Sequence, residues 1–222
     1  DLNDKQFIKD IMEFLDNVIT KFIHLSVKYK IGDIIQDDHL FVTQEDRDQE
    51  KQLIEQAYTM NHPIKDALYS AHVERSIGIG TTGFHSKIQS LNLTLDSQEC
   101  IKVNKQIYET LDKYMNELNE IIAIDRGACE DGKDSGYNIR FSHVSAIAPT
   151  KNISTIQGVS EGTEPMFPIK SVRGKDGNFL EKNQILEKHL SEFQLNNEST
   201  WDEILKGNLT VIPNWEVFIP PF

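Results

Sequence analysis

The stretch that decides the fold is residues 147–158, which read Ile-Ala-Pro-Thr-Lys-Asn-Ile-Ser-Thr-Ile-Gln-Gly. A short apolar run ends at Pro149, small hydroxyl and amide residues follow, and Gly158 is placed to end a helical turn. This order predicts a strand that leads into the start of a helix. Unpaired backbone N–H groups and the positive end of the helix dipole converge at such a start, which favours binding of a phosphate. An ordinary strand-to-helix corner of an α/β protein has the same pattern and stays open as the alternative.

The composition is typical of a globular protein: 222 residues, of which 38% are apolar and 26% charged, are enough to bury a core. No apolar run is long enough to span a bilayer, so we expect no membrane segment. The formal net charge of -12 argues against binding long nucleic acid, but a small nucleotide needs only one locally positive pocket. The chain starts with Asp1 and shows no secretory leader, which predicts a piece of a longer protein.

The cysteines and histidines do not form a recognisable catalytic or metal site. Only Cys100 and Cys129 are present, which favours reduced thiols and a cytoplasmic location. The seven histidines lack ligand spacing such as H-E-x-x-H, so we predict no metal site. Cys100 lies in a helical pattern, Cys129 has no activating neighbour, and no nucleophile elbow or paired-carboxylate motif occurs. We therefore predict no catalytic residue within this chain.

Apolar spacing predicts a mostly helical chain with a few short strands. The first helix, over residues 4–22, is expected to bury one wide face that carries Phe7, Ile8, Ile11, Met12, Phe14, Leu15, Val18, Ile19 and Phe22. Further helices are expected over residues 44–58, 64–75, 84–91, 96–124, 183–193 and 200–206, strands over 76–79 and 139–148, and a β-hairpin with its turn at Asp176-Gly177. Residues 25–60 are interpreted as an exposed insertion and residues 208–222 as a divergent tail.

A glycine-rich motif at residues 78–83, Gly-Ile-Gly-Thr-Thr-Gly, matches the spacing of dinucleotide-binding loops. That fingerprint needs an apolar strand before it, but residues 72–76 read His-Val-Glu-Arg-Ser. It also needs an acid at the end of a second strand, whereas Asp96 and Glu99 lie at a predicted helix start. The motif therefore favours close backbone packing at the end of a strand.

Four blocks follow one another in a characteristic order. They read Phe-Leu-Asp-Asn-Val-Ile (14–19), Glu-Arg-Ser-Ile-Gly-Ile-Gly-Thr-Thr-Gly-Phe-His-Ser (74–86), Ala-Ile-Ala-Pro-Thr-Lys-Asn-Ile-Ser (146–154) and Gly-Val-Ser-Glu-Gly-Thr-Glu-Pro (158–165). All four resemble the large, catalytic subunit of ribonucleotide reductase of the phage or bacterial type, in the later part of its barrel domain. Residues 200–205, Thr-Trp-Asp-Glu-Ile-Leu, add a weaker match, and the resemblance covers most of residues 7–207.

The resemblance implies an α/β fold: residues 1–222 would form a single partial domain of a ten-stranded α/β barrel, mostly helical by residue count. The implied activity is radical reduction of ribonucleotides to deoxyribonucleotides for DNA synthesis. In the family, a loop that matches residues 149–154 holds the substrate phosphates through backbone N–H groups and hydroxyls. The substrate-binding residues carried over are Pro149, Thr150, Lys151, Asn152, Ile153 and Ser154. The corner at residues 162–165 resembles a structural turn of the barrel wall.

Several family features have no counterpart here: the finger-loop cysteine that becomes a radical, the redox cysteine pair and the tyrosine pair. We therefore expect no cofactor on this chain and a need for the complementary N-terminal part of the large subunit. The resemblance leaves the radical source open, either a metal-bearing small subunit or adenosylcobalamin, and it leaves diphosphate or triphosphate substrates open. Two alternatives remain: a non-catalytic remnant that acts as a nucleotide-binding or interaction module, and an unrelated α/β phosphate-binding enzyme.

Overall fold

A computed structural model of the chain describes residues 4–28, 42–174 and 177–219. At residue 28 and at residues 169–181 it describes the backbone alone. The chain divides into two compact units. Unit 1 comprises Asp1–Ile79 and Ile107–Ala146, and unit 2 comprises Gly80–Gln106 and Ile147–Phe222. The interpretation of the chain as one partial domain stays a prediction.

The predicted helices are confirmed in the described residues. In chain order they are α1 (Lys5–Lys28), α2 (Gln44–Thr59), α3 (Lys65–Glu74), α4 (Phe84–Ser90), α5 (Gln98–Arg126), α6 (Glu130–Asp134), α7 (Lys151–Gln157), α8 (Gln184–Glu192) and α9 (Glu198–Leu205), followed by the 3₁₀ helices Leu209–Val211 and Trp215–Val217. Side-chain caps fix several of their starts. Ser97 accepts the Cys100 N–H at the start of α5, and Asn183 accepts two N–H groups at the start of α8. None of these helices is long and apolar enough to cross a membrane.

The expectation that the chain forms part of an α/β barrel is wrong for the described residues. Their strands are β1 (Ile169–Gly174) and β2 (Gly177–Lys182), which pair antiparallel as the predicted hairpin, although Asp176 of its turn lies outside the described residues. Where two parallel strands were expected, a single parallel bridge joins Ile79 to Ser145. Parallel strands are stable when neighbours cover both edges and both faces. In the described part of the chain, no further strand pairs with the segments of Ile79 and Ser145, so no sheet extends from their bridge.

The expected wide buried face of α1 is only half buried. Ile8, Met12 and Ile23 are at most 4% exposed and join the core of unit 1. Four residues assigned to the same face, however, are between 40% and 65% exposed: Phe7, Phe14, Val18 and Phe22. The apolar stripe of α1 is therefore wider than the surface of unit 1 that covers it.

The core of unit 1 has two clusters. The first brings α1 together with α5 and Phe141, through residues that include Met12, Leu118 and Ile122. The second joins Ile23 of α1 to Ile54 of α2 and Leu68 of α3. Part of the segment interpreted as an insertion, α2, thus contributes buried side chains, while residues 29–41 of that segment lie outside the described residues.

The core of unit 2 is built by α8, α9 and the chain that follows them. Leu186, Leu190 and Trp201 pack with Ile212 and with residues further along the chain. The segment interpreted as a divergent tail, as far as residue 219, therefore includes core side chains of this unit.

Close backbone packing at the glycine-rich motif is confirmed at Gly78. A Cβ atom added there would lie 2.8 Å from the Cβ of Ala146, which is shorter than real Cβ contacts. Ala146 also donates its N–H to the Ile79 carbonyl, and Ile79 donates to the Val144 carbonyl. The glycine is needed because the two segments run side by side within unit 1.

A buried carboxylate, Asp16 of α1, holds unit 1 together. Its Oδ1 accepts hydrogen bonds from Nε of Arg75 and from Nε of Arg140, both at 2.9 Å. Its Oδ2 accepts from Nη1 of Arg126 at 3.0 Å. Glu50 of α2 completes the cluster, since Arg75 donates to its Oε2 at 2.6 Å. We call Asp16, Glu50, Arg75, Arg126 and Arg140 the arginine–carboxylate cluster.

The electrostatics of this cluster favour the charged carboxylates. Burial alone would raise the pKa of Asp16, but the charges of Arg75 and Arg140 outweigh it and hold that pKa below its usual range. Burial opposes ionisation of Glu50 as well, yet hydrogen bonding from His72 and the charge of Arg75 lower its pKa to about 2. Both carboxylates are therefore ionised in the folded protein at neutral pH.

We predict that Asp16→Asn destabilises the chain by about 3–5 kcal/mol, because the substitution leaves buried guanidinium groups without their carboxylate. The measurement is urea unfolding followed by far-UV circular dichroism. Glu117→Gln is the matched control, since Glu117 pairs with Lys5 on the solvent-exposed surface and the loss of that pair should change the stability far less. A loss for Asp16→Asn as small as that of the control would contradict the role given to the cluster.

Candidate functional site

The predicted phosphate loop surrounds the start of α7 in unit 2. Pro149 precedes the helix, Thr150 is its N-cap, and Gly158 ends it in the left-handed conformation with φ 67°. The predicted short helix with a glycine stop is thus confirmed. A Cβ atom at Gly158 would lie 2.2 Å from Nε2 of Gln184, but this flexible side chain could move away, so the left-handed backbone is the stronger reason for glycine here.

Three backbone donors remain at the start of α7. The first hydrogen bond within the helix runs from the Ser154 N–H to the Thr150 carbonyl at 2.8 Å. The N–H groups of Lys151, Asn152 and Ile153 have no protein acceptor among the described residues, as expected for the first turn of a helix. All three residues are exposed. This turn therefore offers donors and the positive end of a short dipole to solvent.

The two hydroxyls of the loop are used inside the protein. Thr150 Oγ1 accepts the Gly162 N–H at 2.7 Å and lies 2.9 Å from Oγ1 of Thr82. Since Thr82 donates its own proton to the Ser160 carbonyl, Thr150 is the donor between the two hydroxyls. Ser154 is fully buried and donates to the Lys151 carbonyl at 2.9 Å. Both hydroxyls thus brace the loop.

Behind the loop lies a set of polar residues that the sequence did not single out. Ser86 and Ser160 bond reciprocally, each hydroxyl accepting the other residue's backbone N–H, at 2.9 and 3.3 Å. His85 accepts the Met166 N–H through Nδ1 at 2.7 Å. Gln89 donates to the Met166 carbonyl. The signal for His85, Ser86 and Ser160 was their place in the blocks at 74–86 and 158–165, whereas Gln89 lies outside both blocks.

A cavity of about 620 Å³ opens beside the loop, entirely within unit 2. Of the six predicted substrate-binding residues, only Pro149 lines it. Its walls include the apolar side chains of Ile147 and Phe167, which are 90% and 51% exposed, and the carboxylates of Glu161 and Glu164. The loop therefore borders a wide, open space rather than an enclosed pocket.

Burial of His85 lowers the pKa of its imidazole to about 4. The neutral ring is what the site requires, because Nδ1 must accept the Met166 N–H. In the unfolded chain the imidazole has its ordinary pKa of about 6.5 and takes up a proton first. Between these two values the unfolded state binds more protons, so the stability of unit 2 falls as the pH decreases.

We predict that unit 2 loses stability as the pH falls from about 6.5 to about 4, and that His85→Asn removes most of this slope because an asparagine side chain does not titrate in that range. Tryptophan fluorescence during urea unfolding reports the change, since both tryptophans, Trp201 and Trp215, lie in unit 2. An unchanged slope in the variant would show that other groups cause it.

We also predict that Thr150→Val destabilises unit 2 by about 1–2 kcal/mol, because the Gly162 N–H loses its acceptor. Thr150→Ser keeps the hydroxyl and should cost less than half as much. Tryptophan-detected urea unfolding measures both variants. Equal losses for the valine and serine variants would contradict the bracing role of the hydroxyl.

Comparison with known proteins places this architecture in a family. The model of the family "Ribonucleotide reductase, barrel domain" matches residues 52–138 and 127–217. The ribonucleoside-diphosphate reductase large subunit of Invertebrate iridescent virus 6 is 32% identical over 216 residues, which cover 94% of this chain and 19% of that protein. The corresponding subunit of Invertebrate iridescent virus 3 is 31% identical over 207 residues, 91% of this chain and 27% of that protein.

A solved structure of a ribonucleotide reductase is also similar to this chain. The class Id ribonucleotide reductase alpha subunit of Actinobacillus ureae aligns with a TM-score of 0.62 and 30% identity, over 78% of this chain and 33% of that chain. The chain spans about a fifth to a quarter of the length of the two viral relatives. From the family match and these relatives together, the chain belongs to the ribonucleotide reductase barrel-domain family.

Proposed function

We propose that this chain is a working part of a ribonucleoside-diphosphate reductase large subunit, and that residues 149–154 bind the phosphates of the ribonucleotide substrate. Membership of the barrel-domain family supports the reaction, a reduction of ribonucleotides to deoxyribonucleotides for DNA synthesis. The names of the two viral relatives support diphosphate substrates. The single observation that supports the phosphate site is the row of three unpaired N–H groups at the start of α7.

The six loop residues have different roles in this proposal. The N–H groups of Lys151, Asn152 and Ile153 donate to phosphate oxygens, and the Lys151 ammonium adds a positive charge from the same exposed turn. Pro149 fixes the entry of the chain into the turn, at the edge of the cavity. Thr150 and Ser154 are positioning residues, because their hydroxyls hold the backbone that carries the donors.

The proposed partners follow from what this chain does not carry. Cys100 and Cys129 are 4% and 2% exposed, so neither thiol is available to a substrate. The radical cysteine and the redox pair would come from the complementary N-terminal part of the large subunit. A radical source, either a metal-bearing small subunit or adenosylcobalamin, would act on that part. Assembly and catalysis would take place in the cytoplasm.

The test is reconstitution with a polypeptide that supplies the N-terminal part of a related large subunit, together with that enzyme's radical source. We expect deoxyribonucleotide to form from a ribonucleoside diphosphate. Lys151→Glu should raise the KM about tenfold, because a carboxylate in the first turn competes for the amide donors and repels phosphate. A fold-change of ten corresponds to about 1.4 kcal/mol.

Lys188→Glu is the matched control, since it makes the same charge change at an exposed helical position of unit 2. Its KM should equal that of the unaltered chain. An equal effect of both substitutions would contradict the phosphate loop. A folded complex without any activity would instead favour a non-catalytic remnant that serves as a nucleotide-binding or interaction module.

A further inference from the structure

One side of α1, in unit 1, presents a continuous row of apolar side chains to solvent. Its exposed members were described above, and the partly buried Ile11 and Leu25 lie on the same side of the helix. Positions 7, 11, 14, 18, 22 and 25 follow one another in steps of three and four residues, which aligns them along one helix side. At 1.5 Å per residue the row extends over about 27 Å. We call Phe7, Ile11, Phe14, Val18, Phe22 and Leu25 the outer stripe.

The same helix is apolar on a second side. Ile8, Met12 and Ile23 are at most 4% exposed and pack against the rest of unit 1. A helix at the surface of a domain needs one apolar side, whereas a helix that is apolar around most of its circumference belongs inside a larger core. The sequence of α1 is therefore that of a helix with neighbours on two sides, and the described residues of unit 1 supply neighbours on one.

The polar residues of α1 lie on a third side of the helix. Gln6 donates to Asp10 at 2.7 Å, and Asn17 accepts from Arg126 at 3.0 Å. Steps of four and seven residues place positions 6, 10 and 17 together, away from the outer stripe. The outer stripe itself contains no charged residue. A charged group buried against it would find no counterion within the stripe, so a partner has to present apolar side chains.

Most of the polypeptide of the known relatives has no counterpart in this chain. The matched regions make up 19% and 27% of the two viral large subunits and 33% of the solved alpha subunit. Helices that pack inside such a large subunit would therefore lose neighbours in this chain. Transient interfaces are about as polar as the rest of a protein surface, whereas the outer stripe has the composition of a protein interior. Its composition and the missing polypeptide point to the same occupant.

We propose that the outer stripe is the surface on which the complementary N-terminal part of a ribonucleotide reductase large subunit packs, through an apolar side of one of its helices. The inference rests on the proposed function, in which the two parts work together, and it adds the surface that joins them. The spacing of the stripe lets side chains of a partner helix insert between its own. Phe14 and Val18 are the anchors, because they lie near its middle and central residues carry most of the energy of an interface.

The test is isothermal titration calorimetry of the full chain with the folded N-terminal part of the large subunit of Invertebrate iridescent virus 6, without substrate or radical source. We expect saturable binding with a negative heat-capacity change, which marks the burial of apolar surface. Phe14→Gln and Val18→Gln should each weaken this binding at least about tenfold, because each removes an apolar anchor. Ile101→Gln is the matched control, since Ile101 of α5 is 53% exposed but lies outside the outer stripe, and it should leave the affinity unchanged.

Other occupants of the outer stripe would give different results, and each would overturn the proposal. If light scattering shows a dimer of the chain alone that Phe14→Gln dissociates, a second copy covers the stripe. If Phe14→Gln lowers the urea midpoint of the chain alone far more than Ile101→Gln does, other residues of the same chain cover it. Absence of binding, or equal affinities in Phe14→Gln and Ile101→Gln, would show that the stripe does not join the two parts.

The calorimetric result is independent of the proposed reaction. Lys151→Glu alters the phosphate loop of unit 2 and should leave the calorimetric affinity unchanged. Binding through the outer stripe without any formation of deoxyribonucleotide would contradict the proposed reaction and leave the surface in place. Deoxyribonucleotide formation together with an undiminished affinity of Phe14→Gln would do the reverse.

Discussion

Unit 1 depends on one buried carboxylate. Asp16 is fully buried, and such a charge is tolerated only because arginine donors occupy its oxygens from several directions. These arginines come from the end of α3, the end of α5 and the segment before Phe141, so the cluster ties together parts of the chain that are far apart in sequence. Hydrophobic contacts in the same unit bring the helices together without fixing their register. The directional bonds to Asp16 supply that register.

The backbone of Arg75 shows how strong this constraint is. Arg75 follows α3 in the left-handed conformation with φ 46°, a position that usually favours glycine. A glycine there would relieve the backbone but would remove the guanidinium that contacts Asp16, Glu50 and Thr20. The cost of the backbone, about 1 kcal/mol or more, is smaller than the cost of leaving two carboxylates buried without this partner. At position 75, the need for the guanidinium group therefore outweighs the backbone preference for glycine.

The sequence predicted the helices well and the barrel strands poorly, for physical reasons. Helical spacing and caps such as Ser97 and Asn183 are local, so α5 and α8 could be located from a few neighbouring residues. A parallel strand depends on neighbours that are distant in sequence, and among the described residues the segment with Ser145 pairs only with Ile79. The exposure of Phe14 on α1 also depends on distant parts of the chain. The apolar periodicity of α1 does not reveal which surface would cover this side chain.

The arginine–carboxylate cluster and the hydrogen bonds of the Thr150 and Ser154 hydroxyls could not be predicted from the sequence either. Asp16 and Arg140 are 124 residues apart, and no local pattern marks two such charges as partners. Within the loop, by contrast, the glycine stop and the helix start at residues 150–158 were predicted from the order of residue types alone. What that order left undetermined was the direction of each hydroxyl, because a threonine at a helix start can bond a ligand, the helix or a neighbouring turn.

The direction of each hydroxyl decides how a phosphate loop is interpreted from its residues. A short helix contributes a weak dipole, so its amides bind an anion well only if they are held in place before the anion arrives. Thr150 anchors the turn to Gly162 and Thr82, and the buried Ser154 closes it onto the Lys151 carbonyl. Thr150 and Ser154, the hydroxyl residues that make this sequence resemble a binding site, thus hold the backbone donors in place. In the proposed phosphate site, the contacts to the anion would come from the three backbone N–H groups, which residues of many types could supply.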